Sequence, residues 1–366
     1  MNTKLTLQRT CQLGFTLVEM MIAMTIGLLI IGALMTVIIG AGTSNRANSG
    51  QSELQTNGRY ALDVIKREIQ NAGYYGLTGR GITANPNIPA IPAANDCLAG
   101  FALNISQRVW GSNNGINPFN AATCAELANV QPNTDMLSVR YLSTAPVLLA
   151  SGSEGGISPL TQCATATGAL CFRSAYEQGM LFNAGTPAVF YDRPQQDHTV
   201  EIDLYYINRN TVGADGVPSL RKYALSATGV MTDELVVSGV ENMQVQYGVD
   251  PGLVGGPAAP ASNTQYFNAQ DVNAAAPLFF TSAGAQTVAG AKLDAVAPAV
   301  DAAGTSLTAW GNVSAVRLWL LVRNGTAEPA PFSNTTTYTM GDINYTPPAG
   351  DRFRRQVFTS TIQLRN

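Results

Sequence analysis

The sequence is poor in charged residues, which make up 12% of its 366 residues, and it contains a single histidine, His198. An average soluble protein has roughly 25% charged residues. One histidine excludes H-E-x-x-H zinc sites and multi-histidine metal centres. The formal net charge is −3 and no long run of Lys and Arg occurs. Direct nucleic-acid binding is therefore not predicted, because it needs clustered cations.

Motifs of common enzymes are also missing. The sequence has no G-x-S-x-G elbow and no P-loop. A degenerate dinucleotide fingerprint at 79–84 follows a predicted helix instead of a strand, so it is spurious. We expect His198 to be a solvated residue at a loop edge, and Asp215 and Asp342 to be turn acids because their spacing fits no EF-hand loop. We predict no catalytic residue, no metal site and no cofactor.

The five cysteines lie on both sides of a long apolar run. Cys11 precedes it, and the other four follow it: Cys97, Cys124, Cys163 and Cys171. Their spacings fit no zinc pattern, and their even number predicts two disulfides formed in an oxidising compartment. The simplest pairing joins Cys97 to Cys124 and Cys163 to Cys171. The other two pairings, and free buried thiols, stay open.

The apolar run covers residues 15–40, about 26 residues in which Glu19 is the only charge. As a helix it would be ~39 Å long, enough to cross a hydrocarbon core of ~30 Å. It is longer than the core of a secretory signal peptide, and the small residue Gly14 precedes it instead of following it. Lys4 and Arg9 make the first residues positive. We therefore expect the N-terminus in the cytoplasm and the cysteine-bearing remainder in the periplasm.

The stretch "GFTLVEMMIAMTIG", which begins at Gly14, resembles the N-terminus of type IV prepilins and pseudopilins. The resemblance implies that prepilin peptidase cleaves between Gly14 and Phe15 and N-methylates Phe15. It also implies that Glu19 meets the amino terminus of a neighbouring subunit during filament assembly, which neutralises both charges. An ionised carboxylate in hydrocarbon costs several kcal/mol or more unless it is paired. The alternative is an acid at the membrane interface that has no role.

A helical pattern continues after the apolar run. Apolar residues fall on one face at helical spacing: Leu54, Ala61, Ile65, Ile69 and Ala72. Gly73 and Gly76 predict the end of the helix. We expect the middle of the helix to be soft at Gly40, Gly42 and Gly58, because each glycine costs about 1 kcal/mol relative to alanine.

These patterns divide the chain into a leader (1–14), a transmembrane half-helix (15–41), an amphipathic half-helix (42–76) and a periplasmic head (77–366). The head contains five alternating runs typical of strands: "DMLSVRYL", "HTVEIDLYYIN", "VENMQVQYGVD", "VSAVRLWLLVRN" and "RQVFTSTIQLRN". The predicted fold class is α+β and pilin-like, with a long N-terminal helix packed on an antiparallel β-sheet.

Three further predictions concern the head. The low-complexity region at about 251–310 is expected to be a surface insertion without strand periodicity. Trp319 is expected in the buried core. The basic cluster "RFRRQ" at 352–356 either contacts an acidic neighbouring subunit or forms a solvated strand entrance.

Four blocks of the C-terminal part are similar to PilW-type minor pilins: "GVENMQVQYGVD", "YFNAQDV", "WGNVSAVRLWLLVRN" and "YTMGDINYTPPAGDRFRRQVFTSTIQLRN". The resemblance implies a minor pilin that joins other minor pilins and the major pilin in the complex that primes and caps a type IV pilus, supporting motility or adhesion. A tip adhesin is a further partner. The protein would be held in the bacterial inner membrane by a single pass, with its head in the periplasm, and would later reach the pilus tip.

Two alternatives stay open. One is a minor tip pseudopilin of a type II secretion system, because the blocks are also similar to J-type pseudopilins. The other is a membrane-tethered periplasmic ligand-binding protein or enzyme, which would require a convergent polar pocket in the head.

Overall fold

The computed structural model describes residues 16–77, 82–83, 97, 101, 105, 107–114, 117, 119, 124–144, 170–176, 179–183, 195–225, 229–249, 264–269, 299–300, 306–307 and 313–365. The chain divides into two compact units, residues 1–50 and 51–366. One long N-terminal helix and antiparallel sheets confirm the predicted α+β fold class.

The helix, α1 (Leu17–Asn71), has 55 residues and runs through Gly40, Gly42 and Gly58 without a break. It stops where the sequence predicts, because Gly73 adopts a φ of 78°, in the left-handed region that favours glycine. The Gly73 N–H then donates to the carbonyl of Arg140 at 3.0 Å. This bond ties the end of the helix to a strand of the head.

The larger sheet has eight strands: β1 (Ile82–Thr83), β2 (Val109–Ser112), β3 (Met136–Leu142), β4 (Leu170–Ser174), β5 (Gly179–Asn183), β6 (Gln196–Asn208), β7 (Ser219–Leu225) and β8 (Met231–Ser238). Their order is β1-β5-β4-β6-β3-β2, and β7 lies between β6 and β8. The pairs are antiparallel except β1 with β5. The long β6 pairs with β4 through residues 196–199, with β3 through 200–205 and with β7 through 203–208.

The smaller sheet is fully antiparallel and has the order β10-β9-β13-β16. The remaining elements are β9 (Val240–Val249), β10 (Gln265–Asn268), β11 (Ala299–Val300), β12 (Ser306–Leu307), β13 (Val313–Arg323), β14 (Tyr338–Met340), β15 (Ile343–Tyr345), β16 (Arg355–Gln363) and a 3-10 helix at Ala125–Asn129. Two small ladders, β11 with β12 and β14 with β15, complete the described strands.

One hydrophobic core joins both sheets to the second half of α1. The predicted helix stripe is buried throughout, with exposed fractions of 3% at Leu54 and 0% at Ala61, Ile65, Ile69 and Ala72. Asp135 links the two sheets, since its N–H donates to the Met243 carbonyl at 2.9 Å and its Oδ2 accepts from the Val245 N–H at 2.7 Å. The periodicity of the helix therefore predicts the face that packs on the head.

Much of the low-complexity region at 251–310 lies outside the described residues. Within it, residues 265–268 form β10, which pairs with β9 and extends the smaller sheet. The sequence prediction of a surface insertion without repeated strand periodicity did not identify β10, nor the two-residue strands β11 and β12 within the same region. Four residues are too few to show a period of two, so the alternation test fails there.

Two predictions about single residues are also wrong. Trp319 is half-buried, not fully buried, because it lies on the face of β13 opposite the core residues Leu318 and Leu320. His198 is buried and not solvated. It lies inside β6, its Nδ1 is 2.9 Å from the Ser143 carbonyl, and burial lowers its pKa.

Candidate functional site

The apolar half of α1 is the strongest candidate site. Its best 18-residue window has a mean hydropathy of 2.7, and none of that window is buried. The large apolar side chains from Leu17 to Ile39 that are exposed have exposed fractions between 49% and 77%. Exposure of this many apolar side chains is costly in water and favourable in a bilayer or against other helices. The length and apolar character of this helix support membrane anchoring.

Polar groups in this half-helix are satisfied within the helix itself. Three threonine hydroxyls donate to carbonyls three residues earlier: Thr25 to Ile22 at 2.9 Å, Thr36 to Ala33 at 2.7 Å and Thr43 to Gly40 at 2.9 Å. A helix whose backbone and hydroxyl groups are paired internally is compatible with hydrocarbon. These threonines therefore do not weaken the assignment of a membrane span.

Glu19 is the one charged side chain of the apolar stretch, and it lies in the first turn of α1. Its side chain is exposed, and its N–H donates to the Thr16 hydroxyl at 3.3 Å, an N-terminal capping contact. An anion in the first turn is favoured by the helix dipole. Gly14 and Phe15, the predicted processing pair, lie outside the described residues. Glu19 is thus available to a partner at the amino-terminal end of the helix.

The second half of α1 packs closely on the smaller sheet. Gly58 is buried, and a Cβ placed there would overlap the ring of Phe358. The neighbouring Asn57 donates to the carbonyl of Ser238, the last residue of β8 in the larger sheet, at 3.3 Å. The absence of a side chain at Gly58 lets the helix approach β16, so this glycine has a packing role that its low helix propensity does not reveal.

An acidic cluster lies where α1 meets β6 and was missed by sequence analysis. Asp203 is buried and accepts from Lys222 Nζ at 3.2 Å. Burial raises the pKa of Asp203 to about 7, opposed by the Lys222 charge and reinforced by the neighbouring Glu68 and Glu201. Alternation along β6 assigns Asp203 to the face opposite Ile202 and Leu204, but that face is covered as well. This carboxyl can change charge near neutral pH.

A polar pocket of about 290 Å³ lies at the start of β16. Its lining residues are Gln51, Leu54, Phe332, Asn334, Thr336, Tyr338, Arg354, Arg355 and Gln356. The arginines are already paired, Arg354 with Glu328 at 2.8 Å and Arg355 with Glu241 and Asp351. These pairs place much of the predicted basic cluster within the head. The cations in this pocket are neutralised by acids of the head itself.

The other predicted residues have structural roles. Cys97 and Cys124 form the predicted disulfide. Cys171 is also disulfide-bonded, and its predicted partner, Cys163, lies outside the described residues. Asp215 is a turn acid that accepts three backbone N–H groups, and these bonds lower its pKa.

Asp342 accepts from the side-chain amides of Asn113 and Asn114, both at 3.2 Å. Within the described part of the chain, no group of three or more His, Cys, Asp or Glu side chains is placed to hold a metal ion.

Comparison with known proteins gives matches at both ends of the chain. Residues 204–366 match the family model described as type IV pilus-assembly protein W, and residues 9–35 match the prokaryotic N-terminal methylation motif. No curated protein matches the chain. A solved type IV-like pilin from Thermus thermophilus is 17% identical, with a TM-score of 0.24 over 64% of this chain and 81% of that one.

The methylation motif contains Gly14, Phe15 and Glu19, and the PilW match contains all four strands of the smaller sheet, including β16, whose Phe358 ring lies against Gly58 of α1. Together, the two matches make the chain similar to type IV pilus-assembly protein W in its C-terminal part and to the prokaryotic N-terminal methylation motif at its N-terminus.

Proposed function

We propose that this protein is a minor pilin that enters the priming and tip complex of a type IV pilus through the apolar half of α1. The proposed partners are other minor pilins, the major pilin and a tip adhesin. Prepilin peptidase would cleave between Gly14 and Phe15 and methylate Phe15. The head would lie in the periplasm before assembly and at the pilus tip afterwards.

One observation supports the proposal most strongly. The exposed apolar stretch of α1 carries a single charge, Glu19, in its first turn. Transfer of that stretch from bilayer to a bundle of similar helices keeps its apolar side chains out of water. A carboxylate in that environment needs a cation. The amino terminus of a neighbouring processed subunit is a cation at the same end of a helix, so it fits this position.

The proposed function is assembly into a filament and not the catalytic turnover of a substrate. In the described head, the strongly paired charges stabilise the fold, as Arg173 with Asp197 at 2.7 Å and Arg355 with Glu241 illustrate. His198 bonds a backbone carbonyl through Nδ1.

The test is Glu19→Ala in the source organism, compared with Glu53→Ala, which removes an exposed glutamate outside the apolar stretch of the same helix. We expect Glu19→Ala to lower the amount of this protein in sheared pili by about tenfold or more, since ~1.4 kcal/mol of lost pairing is a tenfold effect. Pilus number and twitching should fall with it. The Cys97–Cys124 disulfide, read by thiol alkylation, should remain.

Normal incorporation and normal pilus number in Glu19→Ala would contradict the proposal. Loss of exoprotein release with unchanged pili would instead support a type II secretion pseudopilin. Equal effects of Glu19→Ala and Glu53→Ala would show that the defect is not specific to the apolar stretch.

A further inference from the structure

Carboxyl groups of α1 and β6 meet where the second half of the helix lies on the larger sheet. Glu201 and Asp203 are two residues apart in β6, so they share a face of the strand. Glu68 of α1 contributes a charge that acts on both of them. Asp203 is 4% exposed, and the Oε2 atom of Glu68 is buried. Three carboxyl groups, partly or fully buried, therefore lie close together between helix and sheet.

One cation faces this acidic cluster. Lys222 of β7 is the only cation among the described residues that act on Asp203, and its Nζ lies 3.2 Å from Asp203 Oδ1. The same Nζ is 3.7 Å from Oε2 of Glu234 on β8. A single ammonium group must therefore balance four carboxylates when all of them are ionised. Like charges gathered at a buried contact favour the uptake of a proton.

Two polar atoms at this contact have no hydrogen-bond partner among the described residues. One is the hydroxyl of Tyr205, which is 0% exposed and shares the face of β6 that carries Asp203. The other is Glu68 Oε2, although Tyr141 of β3 donates a hydrogen bond to the Glu68 carboxylate. A protonated carboxyl group can donate to such an oxygen, which a carboxylate cannot. The contact therefore lacks a hydrogen-bond donor when its carboxyl groups are all ionised.

The other groups that face Asp203 leave this deficit in place. Burial raises the pKa of Asp203 to about 7, the Lys222 charge opposes that shift, and Glu68 and Glu201 add to it. The cluster therefore holds a proton in acid and releases it as pH rises through about 7. The remaining titratable groups that the structure places beside these carboxyls are tyrosines, and none of them brings a cation: Tyr60, Tyr141 and Tyr205.

We propose that the acidic cluster is a pH-dependent clamp that holds the C-terminal turns of α1, residues 64–71, against the larger sheet. The bound proton lets the carboxyl groups of Glu68 and Asp203 lie together, and its release leaves carboxylates that repel each other. Because one group is on the helix and the other on β6, this repulsion acts to separate the two elements. The helix end is held tightly in acid and opens more often above neutral pH. This clamp lies in the head and is independent of the assembly role proposed for Glu19.

Hydrogen exchange of the full-length protein in detergent micelles tests the proposal. Protection of the backbone amides of residues 64–71, corrected for the intrinsic exchange rate, should fall about tenfold or more from pH 5 to pH 8. The amides of β13 should stay better protected than these at both pH values, because the helix end opens while the smaller sheet remains closed. Equal protection of the two segments would show that only global unfolding occurs, and would overturn the proposal.

Two variants test the role of the carboxyl groups. Asp203→Asn cannot ionise and should bring protection of residues 64–71 at the two pH values to within about threefold of each other. Glu68→Gln removes the opposing charge from the helix and should reduce the dependence on pH by about threefold or more. The matched control is Glu53→Gln, the same change at an exposed position of α1, and it should leave the dependence on pH as in the wild type.

A Glu68→Gln chain with the wild-type dependence on pH would show that the helix carboxyl takes no part, and would overturn the proposal. So would an Asp203→Asn chain whose protection still falls tenfold. Retention of the Cys97–Cys124 disulfide checks folding, and if Asp203→Asn does not fold, the result for Glu68→Gln decides. Because Glu19 is unchanged in all these proteins, failure here leaves the proposed assembly role intact, and failure of that role leaves this result readable.

Discussion

At the scale of single residues, Gly58 shows how a packing contact outweighs local propensity. Alanine at this position would gain about 1 kcal/mol of helix propensity. Its Cβ, however, would overlap the ring of Phe358, a β16 residue that is paired with Leu320 of β13. Overpacking of this kind costs about 1–3 kcal/mol. The sequence shows only a glycine in a helical pattern, which predicts a locally weakened helix. The close approach of Phe358 cannot be predicted from it, because Phe358 is 300 residues away in the chain.

Gly58→Ala should therefore destabilise the protein by up to about 2 kcal/mol, the overpacking cost less the gain in helix propensity, as measured by thermal unfolding of the full chain in detergent. Gly42→Ala is the matched control, because nothing lies within 4 Å of the added Cβ, and it should not destabilise. In a Phe358→Ala background the same Gly58→Ala change should no longer be harmful. A loss that persists in that background would rule out the ring contact as its cause.

Asp203 predicts an unusual dependence of stability on pH. Its pKa is raised from 3.8 to about 7 by burial, so the folded protein holds a proton that the unfolded chain releases between these values. Stability from this group is therefore present below pH ~4 and is lost as pH rises through 7. Asp203→Asn has no such carboxyl and should not lose this stability. Its free energy of unfolding relative to that of the wild type should therefore rise by about 2–3 kcal/mol from pH 5 to pH 8.

Urea unfolding at the two pH values measures this difference. Asp351→Asn is the control with a shift of opposite sign, because hydrogen bonds from Arg355 lower the pKa of Asp351. That carboxyl contributes stability that is lost only as pH falls, so its variant should show the same difference from wild type at pH 5 and pH 8. A constant difference for Asp203→Asn would contradict the assignment.

At the scale of elements, sequence periodicity predicted α1 and the strands β3, β6, β9, β13 and β16, because each is long enough to show its period. It missed β2, β4, β5 and β10, which have four or five residues. It also missed β7 and β8, which are at least as long as β3 but whose burial does not alternate regularly along the strand. The periodicity also failed to predict which residues of a correctly predicted strand are buried. His198 and Asp203 are both buried in β6, since alternation shows which residues share a face but not whether another element covers it.

Some features of the candidate site could be predicted from local sequence and others could not. Glu19, the apolar stretch and the buried helix stripe follow from local pattern, and the Cys97–Cys124 disulfide follows from counting. The polar pocket and the acidic cluster depend on pairing between residues far apart in the chain. Arg355 and Glu241, for example, meet across a sequence separation of 114 residues. No local pattern contains that information.

At the scale of the whole molecule, the two units differ in where their apolar side chains lie. The core of the head draws its helical residues from Leu54 to Ala72, all within residues 51–366. The large side chains from Leu17 to Ile39 are exposed, as expected of a segment that contacts lipid or other helices. Folding and assembly should therefore depend on separate parts of one continuous helix.

A chain beginning at Gln51, exported to the periplasm with a cleavable signal, should fold, form the Cys97–Cys124 disulfide and fail to enter pili. A chain beginning at Tyr74 should not fold, since it lacks Leu54, Ile65 and Ile69, each worth about 1.5–3 kcal/mol on burial. Their sum is comparable to the 5–15 kcal/mol that holds a typical domain together. Urea unfolding and protease resistance separate the two. If the Tyr74 chain proved as resistant as the Gln51 chain, the helix stripe would not be part of the head's core, and the division of α1 at residue 50 would have no physical basis.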